Sequence, residues 1–139
     1  MSRERPSAAS SGESVPAALR RWFVVHGVVD WLFAAPLLLV PEAFLGALGW
    51  RVVDPMAARG VAAALVGIGT QSLLSRDSGR AVYRAMLSLK ILWSSTAAVG
   101  FAWTASSTGP AAGWAFAGIF ALFCGLWTYW RIRLRPGAP

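Results

Sequence analysis

Four long apolar runs, joined by short polar stretches, dominate the chain. They cover residues 22–40, 56–74, 85–103 and 111–130, and each is 19 or 20 residues long. Since an α-helix rises ~1.5 Å per residue, each run matches a hydrocarbon core of ~30 Å. Strands of a membrane barrel would alternate apolar and polar side chains over ~10 positions, whereas residues 61–68 are apolar throughout. The pattern predicts an all-α, polytopic four-helix membrane bundle.

The ends of the chain carry no comparable run. Residues 1–18 are rich in Ser, Ala, Pro and Glu and lack apolar periodicity, which predicts a disordered tail because too little surface can be buried to offset the ordering entropy. Residues 136–139 form a short C-terminal tail. The predicted four-helix transmembrane domain therefore spans residues 19–135.

Turn chemistry marks the starts of the helices. Asp54 before Pro55 predicts a helix start, because a carboxylate accepts the first backbone N–H groups and proline lacks one. Residues 109–110, Gly-Pro, predict a similar opening for the last helix, and residues 76–79 form a polar turn. Residues 41–50 contain apolar side chains and a late glycine, which predicts a short interfacial helix on the outer surface.

Arginine placement predicts the orientation. Ten cations lie on one side of the predicted bundle: Arg3, Arg5, Arg20, Arg21, Arg76, Arg80, Arg84, Arg131, Arg133 and Arg135. Only Arg51 and Arg59 lie on the other, and Lys90 falls inside a helix. The positive-inside rule therefore predicts a multi-pass plasma-membrane protein with both termini in the cytoplasm. Tryptophans at the predicted interfaces agree, with Trp22 and Trp130 on the inner side and Trp50, Trp103 and Trp114 on the outer side.

A net charge of +7 does not indicate a nucleic-acid partner, because the cations are dispersed between apolar runs and form no continuous patch. The lipid bilayer is the predicted partner, since anionic headgroups attract each cation by roughly 1 kcal/mol.

The first apolar run has a second interpretation: Arg20 and Arg21, followed by that run, resemble a twin-arginine export signal, which would be cleaved. The absence of a small-x-small cleavage site and the presence of Asp30 favour a retained first span.

Four polar side chains interrupt the apolar runs: His26, Asp30, Gln71 and Lys90. A charge at the centre of a membrane helix costs roughly 3 kcal/mol, so such residues usually face protein or water. All four fall in the predicted cytoplasmic half. Asp30 and Lys90 lean the same way on helices that enter from the same side, which predicts an ion pair between them inside the bundle.

His26 and Asp30 are spaced i,i+4 and share a helix face, an arrangement suited to a proton relay. Trp93 is expected beside the Lys90 ammonium, and Ser94 adds a hydroxyl. Two other interpretations stay open: a structural ion pair that fixes helix register, or a Lys90 that extends to the interface without a partner. Gln71 is expected to bond between helices.

Small residues recur at four-residue spacing in two runs: Gly60 with Ala64, Ala63 with Gly67, and Ala117, Ala121 and Gly125 in series. Such faces let helix backbones approach closely, so they predict packing within the chain or a dimer face. The sequence lacks the motifs of serine hydrolases, zinc proteases and phosphate loops, and Cys124 is the only cysteine. We therefore predict no catalytic residue, cofactor or metal site.

Several short motifs resemble small four-helix prokaryotic membrane proteins of unassigned function. The likeness covers residues 48–50, 54–60, 67–69 and 89–94. It implies a four-helix bundle and supplies no catalytic residue. The abundance of tryptophan is shared with the tryptophan-rich sensory proteins, but those have five helices, for which this chain lacks room.

The favoured hypothesis is a structural or accessory membrane component that is not an enzyme. It would act as a homo-oligomer or with a membrane-protein partner. The alternative is a small transporter or channel subunit, proton-linked through the intramembrane His, Asp and Lys residues. A more distant third is a lipid-binding or lipid-modifying protein.

Overall fold

The computed structural model describes residues 14–135, which form five α-helices and one 3-10 turn. The helices are α1 (Ala17–Leu39), α2 (Pro41–Ala47), α3 (Pro55–Leu74), α4 (Arg80–Ser107) and α5 (Ala112–Arg133), and the turn is Ser75–Asp77. Four of them, α1, α3, α4 and α5, are long and apolar enough to cross a membrane. The all-helical fold and the four long apolar helices are confirmed.

Two of the long helices begin well before their predicted starts. α1 begins at Ala17, so it includes the last two residues of the predicted tail. The reason is packing: Leu19 is fully buried, and Val15 lies with Leu134 in the same apolar cluster. α4 begins at Arg80, five residues early. Residues 14–16 precede the helix, and residues 1–13 and 136–139 of the two predicted tails lie outside the described residues.

The predicted start of the second span is confirmed in atomic detail. The Asp54 carboxylate accepts the backbone N–H of Met56 at 2.8 Å and that of Ala57 at 3.2 Å, while Pro55 occupies the first helical turn. The predicted short helix is present as α2, whose first residue is also a proline. Gly49 follows it with φ 96°, a left-handed conformation that favours glycine.

The long helices associate in two pairs: α1 packs mainly on α3, and α4 on α5. Gly27 and Gly69 make the first pair close, since a Cβ on Gly27 would lie 2.9 Å from the Gly69 carbonyl oxygen. A Cβ on Gly69 would in turn lie 2.8 Å from the Asp30 Cβ. In the second pair, a Cβ on Gly113 would lie 2.9 Å from the Ala105 Cβ.

The glycine faces predicted to pack within the chain do not do so. Gly60, Gly67 and Gly125 have open space where a Cβ would stand, and Ala63 is exposed. Four-residue spacing identifies a smooth helix face but does not fix the rotation of that helix against its neighbours. Of the predicted series on the last helix, Ala117 is buried.

One end of the bundle gathers the start of α1, the 3-10 turn, the start of α4 and the end of α5. Arg20 lies 3.6 Å from the Asp77 carboxylate, the Tyr83 hydroxyl donates to the Arg76 carbonyl at 2.7 Å, and Arg84 Nη1 donates to a carbonyl near the end of α5 at 3.4 Å. Because Arg20, Arg76 and Arg84 all lie here, we call it the cationic end. A buried, mainly aromatic cluster, called the aromatic plug, fills its interior. It consists of Leu19, Phe23, Tyr83, Leu87 and Trp127, each with 0% exposure.

We expect Gly69→Val to separate α1 from α3, because the added side chain meets backbone and the Asp30 Cβ. The free energy of unfolding should fall by about 1–3 kcal/mol, the usual cost of overpacking. The measurement is unfolding in mixed detergent micelles. Gly67→Val is the matched control on the same helix, where nothing stands within 4 Å. Equal stability of the two variants would contradict the close approach.

Candidate functional site

Three ionisable side chains are buried together inside the bundle. His26 is 6%, Asp30 5% and Lys90 1% exposed. The first two come from successive turns of α1, and the third comes from α4. Their contact therefore joins the two helix pairs.

The imidazole of His26 lies between the two charged partners. Its Nδ1 is 3.0 Å from the Lys90 Nζ and 2.9 Å from the Asp30 Oδ2. The predicted direct ion pair is wrong: among the ion pairs of residues 14–135, none joins Asp30 to Lys90. Counted inward from the cationic end at ~1.5 Å per residue, Lys90 lies nearer in depth to His26 than to Asp30.

A single ring nitrogen cannot satisfy both partners at once. When its lone pair accepts an N–H of the Lys90 ammonium, Nδ1 has no proton to donate to Asp30. Accordingly, Asp30 Oδ2 is buried without a hydrogen-bond partner in the described part of the chain, although Nδ1 is near. Such an unsatisfied buried group costs about 1–3 kcal/mol, and more when it is charged. The site therefore has one unused acceptor.

Aromatic rings flank the Lys90 ammonium. Nζ lies 5.2 Å from the centre of the Phe23 ring and 5.1 Å from that of Trp127, distances suited to cation–π attraction. The predicted partner Trp93 lies instead among the cavity residues, and Ser94 donates to the Lys90 backbone carbonyl. An unpartnered lysine that extends to the interface is likewise wrong.

Gln71 does not belong to the cluster. It is exposed, and its Nε2 donates to the Ser75 Oγ at 2.9 Å, so its hydrogen bond caps the end of α3 and does not join two helices. Its neighbour Thr70 makes the helix-to-helix bond instead, accepting from the Trp31 Nε1 at 3.2 Å. On α3 it is Gly69 that faces Asp30, and two further steps of about 100° each turn Gln71 to the other side of the helix.

A cavity of about 380 Å³ adjoins the cluster, between the α1–α3 pair and the α4–α5 pair. All four long helices line it, and its walls are almost wholly apolar. The lining residues are His26, Val29, Asp30, Phe33, Leu37, Val61, Leu65, Trp93, Thr96, Ala97, Phe101, Phe116, Ile119, Phe120 and Phe123. The only ionisable lining groups are His26 and Asp30.

The cavity runs from the cluster towards the end of the bundle opposite the cationic end. The aromatic plug closes it behind His26. At the far end, Phe33 contacts Phe44 of α2, with ring centres 6.2 Å apart, and Phe116 contacts Trp50 at 6.0 Å. Exposed lining residues lie along the sides of the helices, as Val61 and Ile119 show at 45% and 46% exposure. The wall of the cavity thus reaches the lateral surface of the bundle at these two side chains.

Sequence reasoning missed the aromatic partners of the cluster. Phe23 could have been found, because it precedes His26 by three residues and Asp30 by seven and so shares their helix face. Trp127 is one of eight tryptophans, and nothing in its local sequence separates it from the interfacial ones. Its ring stacks on Phe123 at 5.8 Å and 8°.

Comparisons with protein-family models, with curated proteins and with solved structures found no match. Within residues 14–135, no group of three or more His, Cys, Asp or Glu side chains could hold a metal ion. Functional argument therefore starts from the geometry of the cluster and of the cavity.

A double-mutant cycle tests the central position of His26. We expect His26→Phe and Lys90→Met to be coupled by about 1–2 kcal/mol, because each removes the partner of the same buried hydrogen bond. The readout is the free energy of unfolding in mixed micelles. Gln71→Leu combined with Lys90→Met is the control pair and should be additive. Additivity of the first pair would contradict the contact.

Proposed function

We propose that the chain is a multi-pass plasma-membrane protein with both termini in the cytoplasm. The distribution of charge supports this orientation. Among residues 14–135, eight arginines lie at the cationic end: Arg20, Arg21, Arg76, Arg80, Arg84, Arg131, Arg133 and Arg135. Only Arg51 and Arg59 lie at the other end, and the positive-inside rule assigns the richer end to the cytoplasm.

Cysteine labelling tests the orientation. In a Cys124→Ser background, Gly79→Cys marks the cationic end and Thr108→Cys marks the opposite one; both positions are exposed. With intact cells and a membrane-impermeant maleimide, we expect only Thr108→Cys to react. Permeabilised cells serve as the control in which both react. Labelling of Gly79→Cys alone in intact cells would reverse the orientation.

We further propose that the protein acts as a small proton-linked transporter or channel subunit. The observation that carries this proposal is the Asp30 carboxylate: it is buried, lines a cavity that all four long helices share, and has an oxygen without a hydrogen-bond donor. Intramembrane ionisable groups that line cavities usually mark proton or substrate pathways.

The cluster offers two arrangements of one proton. With the proton absent from Nδ1, His26 accepts from Lys90; with the proton present, His26 donates to Asp30 and the Lys90 contact becomes repulsive. Both partners already stand within 3.0 Å of the same nitrogen, so exchange needs little movement. A change in protonation would therefore alter the contact that joins α1 to α4.

The structural or accessory role, which the sequence favoured, is here the second candidate, and one observation supports it. Gly60, Ala63 and Gly67 form a smooth exposed face on α3, which could receive a helix of a second copy or of a membrane-protein partner. On this view the cluster fixes the register of the helices and moves no proton.

Proton influx into liposomes separates the two candidates. With the purified chain, a trapped pH-sensitive dye and an imposed potential, we expect influx above that of protein-free vesicles. Asp30→Asn and Lys90→Met should each lower it by about tenfold or more, the usual scale for loss of a positioned proton-transfer group. Gln71→Leu, which alters an exposed residue outside the cluster, should keep the wild-type rate.

Stability of the same variants completes the test. If influx equals that of protein-free vesicles, and each single variant is less stable than the Asp30→Asn, Lys90→Met double variant, the cluster is structural. Loss of influx with retained folding supports proton transfer. Micelle unfolding provides the second measurement on identical samples.

A further inference from the structure

We propose that the cavity binds an uncharged lipophilic phenol, that is, an aromatic ring bearing a hydroxyl and a short apolar chain, with the hydroxyl donating to Asp30. This inference rests on the proposed proton-linked function, because it names the class of ligand for the same cavity beside Asp30. It is carried by four features of the cavity: its size, its walls, its charge and its openings.

The volume suits a single-ring ligand. About 380 Å³ lies at the small end of the range of roughly 300–1,000 Å³ that is usual for small-molecule pockets. A phenyl ring with a short alkyl chain fits such a space, whereas a two-chain phospholipid is far larger.

The walls favour an aromatic body. Phe101 stacks on Phe116 with ring centres 5.3 Å apart and on Phe120 at 5.6 Å, with interplanar angles of 24° and 12°. Rings prefer offset-stacked or edge-to-face neighbours, so these side chains present faces and edges to a further ring. Trp93 adds another aromatic surface to the same cavity.

The charges favour a neutral hydrogen-bond donor. Lys90 already offsets the charge of Asp30 through the intervening His26, so an added ammonium would leave a net positive charge away from water, and an added carboxylate would oppose Asp30. A hydroxyl instead supplies the donor that Asp30 lacks without adding charge. Thr96 is the remaining polar lining residue.

The openings favour entry from lipid. Val61 and Ile119 line the cavity and are exposed on the sides of the helices, while the aromatic plug blocks the cationic end. The contacts of Phe33 and Phe116 with Phe44 and Trp50 cover the other end. A ligand that first partitions into the bilayer can enter laterally, which selects against water-soluble molecules.

Direct binding tests the proposal on the full chain in lipid nanodiscs. The probe is radiolabelled para-hexylphenol at equal pH on both sides, with uptake by empty nanodiscs subtracted. We expect saturable binding. Para-hexylanisole, the methyl ether that has no donor, should compete about tenfold or more weakly, the scale expected when a buried acceptor is left unpaired.

Two variants on α4 make the test independent of the cluster. Ala97→Phe fills the cavity from its wall and should weaken binding about tenfold or more, whereas Val99→Phe adds the same side chain at an exposed position and should bind as wild type. Melting temperatures of both variants verify folding. If Ala97→Phe does not fold, Ala97→Leu replaces it with Val99→Leu as its control, and the smaller added side chain should still weaken binding measurably by occupying part of the cavity. Non-saturable uptake, equal competition by the ether, or unchanged binding by the Ala97 variant would overturn the proposal.

The outcome is separable from that of the proton-influx assay. Saturable, hydroxyl-dependent binding without proton influx supports the phenol site and contradicts the proposed transport function. Influx that depends on Asp30, together with absent binding, overturns the phenol site and leaves the proton-linked role standing.

Discussion

A charge buried away from water must be compensated, and in this chain that constraint falls on Lys90. The ammonium sits 1% exposed in the middle of α4, with a ring nitrogen of His26 on one side and the faces of Phe23 and Trp127 near it. Desolvation makes the lysine costly unless these partners are in place. The requirement holds α1 against the α4–α5 pair, and no glycine within residues 14–135 makes a close contact between them.

The two kinds of helix contact explain why a cavity exists. Within each pair, small residues such as Gly27 and Gly69 bring backbones together, so little space remains. Between the pairs, the contacts are made by large side chains: Phe23, Tyr83 and Trp127 fill the cationic end completely. Farther from the cationic end, side chains line the space between the two helix pairs but do not fill it, and this space is the cavity beside Asp30.

Sequence predicted the elements well and the site in part. Run length predicted the four long apolar helices, and Asp54 before Pro55 predicted one helix start, because both features depend on neighbours in the chain. His26 and Asp30 were placed together since they share a helix. The direct Asp30–Lys90 pair and the place of Gln71 were wrong, because helix rotation and relative depth are fixed by contacts such as Gly27 with Gly69, which spacing alone does not reveal.

Taken together, the two proposals make the shared nitrogen of His26 the link between ligand binding and the position of the proton. Without a donor at Asp30, the carboxylate and the Lys90 ammonium compete for one ring position. On the proposed function, a hydroxyl that donates to Asp30 removes that competition and favours the tautomer in which Nδ1 accepts from Lys90. Linkage is reciprocal, so the proton position that favours the Lys90 contact must also favour the ligand. A site with separate partners for Asp30 and Lys90 would lack this coupling, which is why the unsatisfied carboxylate matters more than the ion pair expected from sequence.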